Sequence, residues 1–295
     1  MTSPSRAIAV VGLGAMGGPM SRRLVSAGLE VRGFDRDADA MARFSHAGGV
    51  AASSAAMAAQ GAAALLLLVV NDAQADDVLF GAGNAAGALV PGAVVILSLT
   101  TAPGMAAGIG ERLEKLGLCM IDCPVSGGVK RAESGTLNLI AAGPAQSIDA
   151  ARPYLAPLGT MRVVGDRYGQ ASSIKLINQL LCGIHIAAAA EAVALAEKAG
   201  IDPHVLHEVI NASSGTSGMF ADRVPMMLGA SERTTAAIDI LVKDLSLVAD
   251  LGAALRARLP LTQNALRLFS EASSKGMGAH NDSEVIRLLQ AKEQD

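Results

Sequence analysis

Short apolar runs recur through the first half of the chain, and segments with helical spacing separate several of them. Apolar runs without polar alternation are typical of strands buried on both faces of a parallel sheet. The pattern predicts a doubly wound α/β sheet covered by helices such as PMSRRLVSAG and APGMAAGIGERLEKLG. The predicted strands cover residues 7–11, 30–34, 64–70, 93–99, 118–122 and 137–142.

Beyond about residue 165 the apolar positions follow helical spacing, and strand-like runs of comparable strength do not recur. A proline-free segment from 169 to 200 predicts one long helix joining two domains, and Asp202-Pro203 carries the signals of a new helix start. We therefore predict an α/β domain over 1–165. An all-helical domain is predicted over 166–295.

Composition, net charge and cysteine content indicate which classes of fold and partner fit this chain. Of the 295 residues, 51% are hydrophobic and only 2% aromatic, so Ala, Leu, Val and Met must fill the core. A net charge of −3 without a long basic run argues against nucleic-acid or membrane-surface partners. Three scattered cysteines do not make a disulfide framework, and the N-terminus lacks a secretory pattern. A cytoplasmic protein is expected.

The segment GLGAMG has the spacing G-x-G-x-x-G and follows the first predicted strand directly. In such a motif Gly12 makes a tight turn, Gly14 lets a pyrophosphate reach the backbone, and Gly17 lets helix and strand pack closely. A helix starting near Ala15 would point unpaired amides at the phosphates. The motif predicts a Rossmann-type dinucleotide site formed by Gly12, Leu13, Gly14, Ala15, Met16 and Gly17.

Asp35 ends the second predicted strand, 18 positions after Gly17, where it can accept hydrogen bonds from an adenine ribose. A carboxylate there repels the 2′-phosphate of NADP, whereas the flanking Arg36 could attract it. Because the acid occupies the motif position and the arginine only flanks it, NAD is favoured over NADP. A glycine-rich turn beside a surface aspartate is the alternative.

Two further segments carry candidate chemistry. Ser126, Gly127 and Gly128 leave the fifth strand and could offer a hydroxyl and consecutive N–H groups to a carboxylate; a simple turn is an equally good interpretation. Lys175 and Asn178 share one helix face, three residues apart. In a cleft they could serve as general acid/base and substrate-orienting amide, although taken alone the lysine fits an ordinary amphipathic helix better.

Four motifs, VGLGAMGGPM, DCPVSGG, IKLINQ and VKDLSLV, in this order and spacing, resemble the β-hydroxyacid dehydrogenase family over nearly the whole chain. The resemblance implies an NAD-dependent dehydrogenase of a small hydroxy acid, such as L-threonate or a similar sugar acid, oxidised to its keto acid. It also implies that residues 1–165 form an NAD-binding Rossmann domain. Residues 166–295 would form the substrate and oligomerisation domain, through which a homodimer or homotetramer is built.

The family's roles carry over to matching positions. Lys175 would be the catalytic lysine with Asn178 beside it, and Ser126, Gly127 and Gly128 would bind the substrate carboxylate. The cofactor would also meet three residues outside the glycine loop, namely Asn71, Thr100 and Lys243. The chain departs from the family pattern at Ala171, where a glycine is usual, at Gln179, where an asparagine is usual, and at Val69-Val70 before Asn71.

Other interpretations remain open. A non-catalytic dinucleotide-binding module or an imine reductase could use the same scaffold, although both are expected to lack Lys175. Another substrate of the family, of the 3-hydroxyisobutyrate or tartronate semialdehyde type, is the nearer alternative. His204 and His207 are three residues apart, but no third ligand is apparent nearby, so no metal is predicted.

Overall fold

A computed structural model describes residues 7–230 and 236–290 of the protein. The chain divides into two compact units, Met1–Lys175 and Leu176–Asp295. This division falls inside a helix, whereas the sequence places the domain boundary at 165/166, before that helix. The assignment of a cofactor role to the first domain and a substrate role to the second stays a prediction.

The strands of the first unit form one sheet, in which the first six strands pair in parallel. Their bounds are β1 Ile8–Val11, β2 Val31–Phe34, β3 Val50–Ala51, β4 Ala64–Leu67, β5 Val94–Leu97, β6 Cys119–Asp122, β7 Val125–Ser126, β8 Leu137–Ala142 and β9 Gly159–Gly165. The strand order is β3-β2-β1-β4-β5-β6-β8-β7, with β9 beside β8. β8 runs antiparallel to β6 and β7 and parallel to β9.

Helices cover both faces of this sheet, as the apolar pattern predicts. Along β1, Ile8 and Val10 join one buried cluster, while Ala9 and Val11 join a second cluster. Successive side chains of a strand point to opposite faces, so the two clusters are the two covered faces of the sheet. The helices are α1 Gly17–Ser26, α2 Ala38–His46, α3 Ala55–Ala59, α4 Asp72–Phe80, α5 Ala85–Ala88, α6 Pro103–Lys115, α7 Gly128–Ser134 and α8 Ala145–Leu155. The predicted doubly wound fold is confirmed.

The second unit is helical throughout its described residues, apart from an isolated bridge between Ala237 and Asn281. The predicted long helix is present as α9 Gln170–Lys198, which begins in the first unit. Asp202 caps the next helix by accepting the N–H of His204. The remaining elements are α10 Pro203–Asn211, α11 Gly218–Met227, α12 Ile238–Ala254, α13 Pro260–Ala272, a π-helical turn Ser273–Met277, a 3₁₀ helix Asp282–Val285 and α14 Ile286–Gln290.

The helix α9 is long and apolar enough to cross a membrane by length and composition alone, with a mean hydropathy of 1.6. Core helices of globular proteins meet the same criteria. Ile186, Ala190 and Val193 of α9 lie in the buried apolar core of the second unit. This packing accounts for those apolar positions, whereas Ile177, Leu181 and Leu195 of the same helix are 56%, 47% and 69% exposed.

Candidate active site

The glycine loop between β1 and α1 has a separate physical reason for each of its three glycines. Gly12 has a φ of +92°, which favours glycine. A Cβ at Gly17 would collide with the carbonyl oxygen of Gly12, whereas a Cβ at Gly14 would have no atom within 4 Å. Gly12 and Gly17 are therefore required by the turn itself, and Gly14 leaves open space beside the backbone. That space is what a dinucleotide-binding loop needs for a pyrophosphate.

The helix after this loop begins at Gly17, two residues later than the sequence indicates. Residues 15 and 16 form a turn, and the N–H of Gly18 donates to the carbonyl oxygen of Gly14 at 3.0 Å. Ala15 is exposed and Met16 is half-buried. The end of the glycine loop is thus a hydrogen-bonded turn that directly precedes the regular helix.

Asp35 follows β2 and is tied directly to the glycine loop. Its Oδ2 accepts the N–H of Leu13 at 2.6 Å, and its Oδ1 accepts the N–H of Asp37 at 2.9 Å. A carboxylate has about four lone-pair sites, so further acceptor capacity remains for a ribose hydroxyl. The neighbouring Arg36 is exposed and its Nη2 lies 3.1 Å from Oδ2 of Asp77.

Four predicted cofactor positions lie at one edge of the sheet. The glycine loop, Asp35, Asn71 and Thr100 follow β1, β2, β4 and β5, whose carboxyl ends share that edge. The strand order reverses between β1 and β4, which is where ligands bind in open α/β sheets. Asn71 also caps α4, because its Oδ1 accepts the N–H of Gln74 at 2.9 Å. The first unit therefore has the residues and the edge geometry that fit a dinucleotide.

The predicted carboxylate-binding loop connects β7 to α7. Ser126 pairs with Asn138 of β8, and Gly127 and Gly128 follow with φ of +130° and +67°. Both glycines are exposed and Ser126 is half-buried. Successive backbone N–H groups in a turn of this kind can bind an anion, so carboxylate binding by this loop stays a prediction.

The start of α9 is anchored by a buried carboxylate that sequence reasoning did not place in the site. Asp122, the last residue of β6, accepts the N–H groups of Gly169 and Ser172 at 2.9 Å each and the hydroxyl of Ser172 at 2.7 Å. Burial raises the pKa of the Asp122 carboxyl, while hydrogen bonds from Ser172, Gly169 and Ala171 act in the opposite direction. These bonds fix the helix start three residues before Lys175.

Lys175 and Asn178 both lie on α9, three residues apart, and both are half-buried. The Nδ2 of Asn178 donates to Oε1 of Gln179 at 3.1 Å and to Sγ of Cys182 at 3.4 Å. Lys243 lies on α12, with its Nζ 2.6 Å from Oδ1 of Asp244. The two predicted site residues of the second unit, Asn178 and Lys243, are thus joined through Gln179 and Asp244.

Two residue types that could suggest other chemistry have structural explanations. Burial, together with the charge of Asp122, raises the pKa of the Cys123 thiol, which disfavours the nucleophilic thiolate. The Nε2 of His207 lies 2.8 Å from Nδ2 of Asn211, and its ring stacks on Phe220. Within 7–230 and 236–290, no three His, Cys, Asp or Glu residues are grouped to hold a metal ion.

Comparison with known families covers both units. A profile described as the NAD binding domain of 6-phosphogluconate dehydrogenase matches residues 7–166. A second, described as NAD-binding of NADP-dependent 3-hydroxyisobutyrate dehydrogenase, matches residues 169–289. The chain belongs to the β-hydroxyacid dehydrogenase family. This membership makes the protein an NAD-binding oxidoreductase of hydroxy acids, as the motifs imply.

Individual members of the β-hydroxyacid dehydrogenase family align over nearly the full chain. L-threonate dehydrogenase of Cupriavidus necator is 44% identical over 97% of this chain and 96% of its own length. L-threonate dehydrogenase of Escherichia coli is 41% identical over 96% and 94%. A crystal structure described as 3-hydroxyisobutyrate dehydrogenase from Salmonella typhimurium has a TM-score of 0.90 and 40% identity, covering 96% of this chain and 99% of that one.

Proposed function

We propose that this β-hydroxyacid dehydrogenase oxidises L-threonate or a similar sugar acid to its keto acid, with NAD as cofactor and Lys175 as general acid/base. The observation that carries the proposal is the anchored start of α9, where buried Asp122 fixes the turn that presents Lys175. The names of the C. necator and E. coli relatives favour L-threonate as the substrate.

The reaction assigns one task to each group of residues. Ser126, Gly127 and Gly128 bind the substrate carboxylate through a hydroxyl and backbone N–H groups. In oxidation the amine of Lys175 accepts the proton of the reacting hydroxyl, and in reduction its ammonium form returns it. Asn178 orients the substrate through its side-chain amide. Bound NAD supplies the hydride acceptor.

We propose that the cofactor is bound by the glycine loop, Asp35, Asn71 and Thr100 of the first unit and also meets Lys243. NAD is proposed over NADP because the carboxylate of Asp35 follows β2 at the motif position for the adenine ribose, where it would repel a 2′-phosphate. The guanidinium of Arg36 is already paired with Asp77. Since one matching profile is described as NADP-dependent, the assay below compares both cofactors.

Gly14 provides the sharpest test of the cofactor loop. Gly14→Ala is expected to weaken NAD binding by about tenfold or more, because the added methyl fills the space through which a pyrophosphate reaches the backbone. Thermal stability should change little, since no atom lies within 4 Å of that Cβ. Titration calorimetry with NAD and a thermal scan measure the two quantities.

Gly104→Ala is the matched control, because Gly104 lies in α6 of the same unit and a Cβ there also meets nothing within 4 Å. It should leave NAD affinity unchanged. Equal NAD affinity in the native protein and Gly14→Ala would contradict the assignment of this loop.

The experiment that tests the proposed function is a spectrophotometric assay at the NADH band. The purified protein is mixed with NAD or NADP and a panel of hydroxy acids that includes L-threonate, 3-hydroxyisobutyrate and a tartronate semialdehyde type substrate. A rate with NAD and L-threonate that exceeds all others supports the proposal. Turnover of another acid keeps the chemistry and replaces the substrate.

A second candidate function is oxidation of 3-hydroxyisobutyrate, favoured by the description of the Salmonella structure at 40% identity. The same panel separates it from the first. Binding of NAD with no turnover of any acid in either direction would instead favour a non-catalytic dinucleotide-binding module.

A homodimer or homotetramer in the cytoplasm is part of the proposal. Helix α10 buries none of its residues, and Val205 and Val209 on its surface are 51% and 55% exposed. Val205 and Val209 are four residues apart and share one face of α10, and Ile201 just before the helix is 47% exposed; such an apolar surface suits contact with a second copy. Sedimentation equilibrium measures the assembly, and a monomer at all concentrations would refute this part.

A further inference from the structure

A chain of side-chain hydrogen bonds crosses the second unit from α12 to α9. Asp244 is 2% exposed and its two oxygens are both engaged. Its Oδ1 accepts from Nζ of Lys243 at 2.6 Å, and its Oδ2 accepts from Nε2 of Gln179 at 2.6 Å. Oε1 of Gln179 then accepts from Nδ2 of Asn178 at 3.1 Å. Gln179 and Asp244 lie in the motifs IKLINQ and VKDLSLV, which by themselves assign no substrate contact to either residue.

The donor and acceptor roles in this series of hydrogen bonds are fixed by the chemistry of its groups. Beside the Lys243 ammonium, the Asp244 carboxylate can accept hydrogen bonds but cannot donate them. Gln179 must therefore turn its NH₂ group to Asp244, which leaves its carbonyl oxygen for Asn178. Asn178 in turn must present its NH₂ group to Gln179. A flip of the Gln179 amide would place its oxygen against Oδ2 of Asp244, and a flip of the Asn178 amide would place its oxygen against Oε1 of Gln179. Both contacts would be unfavourable in a partly buried hydrogen-bond network.

The same bonds determine which atom of the Asn178 side chain can contact a substrate. Its NH₂ group has two hydrogens, and these are directed at Oε1 of Gln179 and Sγ of Cys182. The group that Asn178 can offer to a substrate is therefore Oδ1, a hydrogen-bond acceptor. Such a group binds a hydroxyl and gives nothing to a carbonyl or ether oxygen.

We infer that the Asp244–Gln179–Asn178 chain makes Asn178 the acceptor for a second substrate hydroxyl, and so selects polyhydroxy acids over monohydroxy acids. This inference rests on the proposed function. A reacting hydroxyl has one hydrogen, and the amine of Lys175 accepts it. Oδ1 of Asn178 is then offered to a different hydroxyl of the same substrate. Gln179 and Asp244 are positioning residues in this arrangement.

The substrate comparison is the first half of the test. The native enzyme is compared on L-threonate and on deoxy analogues that each lack one hydroxyl other than the reacting one. One analogue is expected to show a kcat/KM lower by about tenfold or more than that of L-threonate. The hydroxyl that this analogue lacks is the one that would donate to Oδ1 of Asn178. Gln179→Met has similar length but no amide, and should shrink that preference to about threefold or less, mainly through a higher KM for L-threonate.

A pH profile separates positioning from simple structural support. Gln179→Glu places a second carboxyl against Asp244, so that two ionised groups repel at alkaline pH and share a proton at mildly acidic pH. The KM of this variant for L-threonate should fall toward the native value as pH is lowered. Gln263→Glu, on an exposed position of α13, adds the same charge and should follow the native profile.

A binding measurement tests the inference separately from the proposed reaction. Titration calorimetry with NADH-loaded enzyme measures the affinity for L-threonate and for the same analogues without requiring turnover. Selective binding of L-threonate without turnover would support the acceptor role of Asn178 and refute the proposed reaction. Turnover with equal kcat/KM for L-threonate and every analogue, or a pH-independent KM in Gln179→Glu, would overturn the inference and leave the reaction standing.

Discussion

Replacing Lys175 with methionine is expected to lower kcat for hydroxy acid oxidation by about 10²–10⁴-fold, the range that one general acid/base contributes. Methionine keeps an unbranched apolar side chain of similar length on α9, so the helix and its packing should persist. What is lost is the amine that accepts the proton of the reacting hydroxyl. The Kd for NAD should change little, because none of the proposed cofactor-binding residues is altered.

The control lies at the other end of the same helix. Lys198 is exposed in the last turn of α9, and Lys198→Met removes a positive charge without touching any proposed site residue. Steady-state kinetics and calorimetry on both variants separate chemistry from binding. Near-native kcat in Lys175→Met would remove Lys175 from the mechanism.

Replacing Asp122 with alanine is expected to lower the free energy of unfolding by about 3 kcal/mol, because two N–H groups and one hydroxyl lose their buried acceptor. The start of α9 would also lose its fixed position, so kcat should fall more than stability alone explains. Urea unfolding followed by circular dichroism, with activity measured well below the transition, distinguishes the two effects.

Ser172→Ala is the graded companion to that variant. It removes one hydroxyl donor and keeps both backbone bonds to Asp122, so a loss of about 1 kcal/mol is expected. If Asp122→Ala were no less stable than Ser172→Ala, the buried carboxylate would not be the anchor of the helix.

The parts of the site that sequence predicts are those set by local backbone chemistry. Gly12, Gly14 and Gly17 lie within six residues of one another; the local turn requires glycine at Gly12 and Gly17, and the motif spacing assigns Gly14 to a pyrophosphate. The contacts of Asp122 with Gly169 and of Asp244 with Gln179 span 47 and 65 residues. No local pattern marks which distant donor a buried carboxylate will meet.

The fold divides in the same way. The strongly apolar runs gave strands β1, β4 and β5, because burial on both faces leaves a clear signal. The apolar pattern does not predict strand β9, since all of its residues are exposed or half-buried and it carries Arg162 between apolar positions. β3 and β7 are two residues long, too short for any periodic pattern.

The bond between Asp35 and the N–H of Leu13 links the carboxylate that we propose excludes NADP to the shape of the glycine loop. A substitution that removes the carboxylate to admit NADP would also free an amide at the centre of the glycine loop. Variants with altered cofactor preference should therefore arise in pairs, in which a second change supplies a new acceptor for Leu13. A substitution at residue 35 alone would lower the selectivity for NAD over NADP and would also weaken the binding of both dinucleotides.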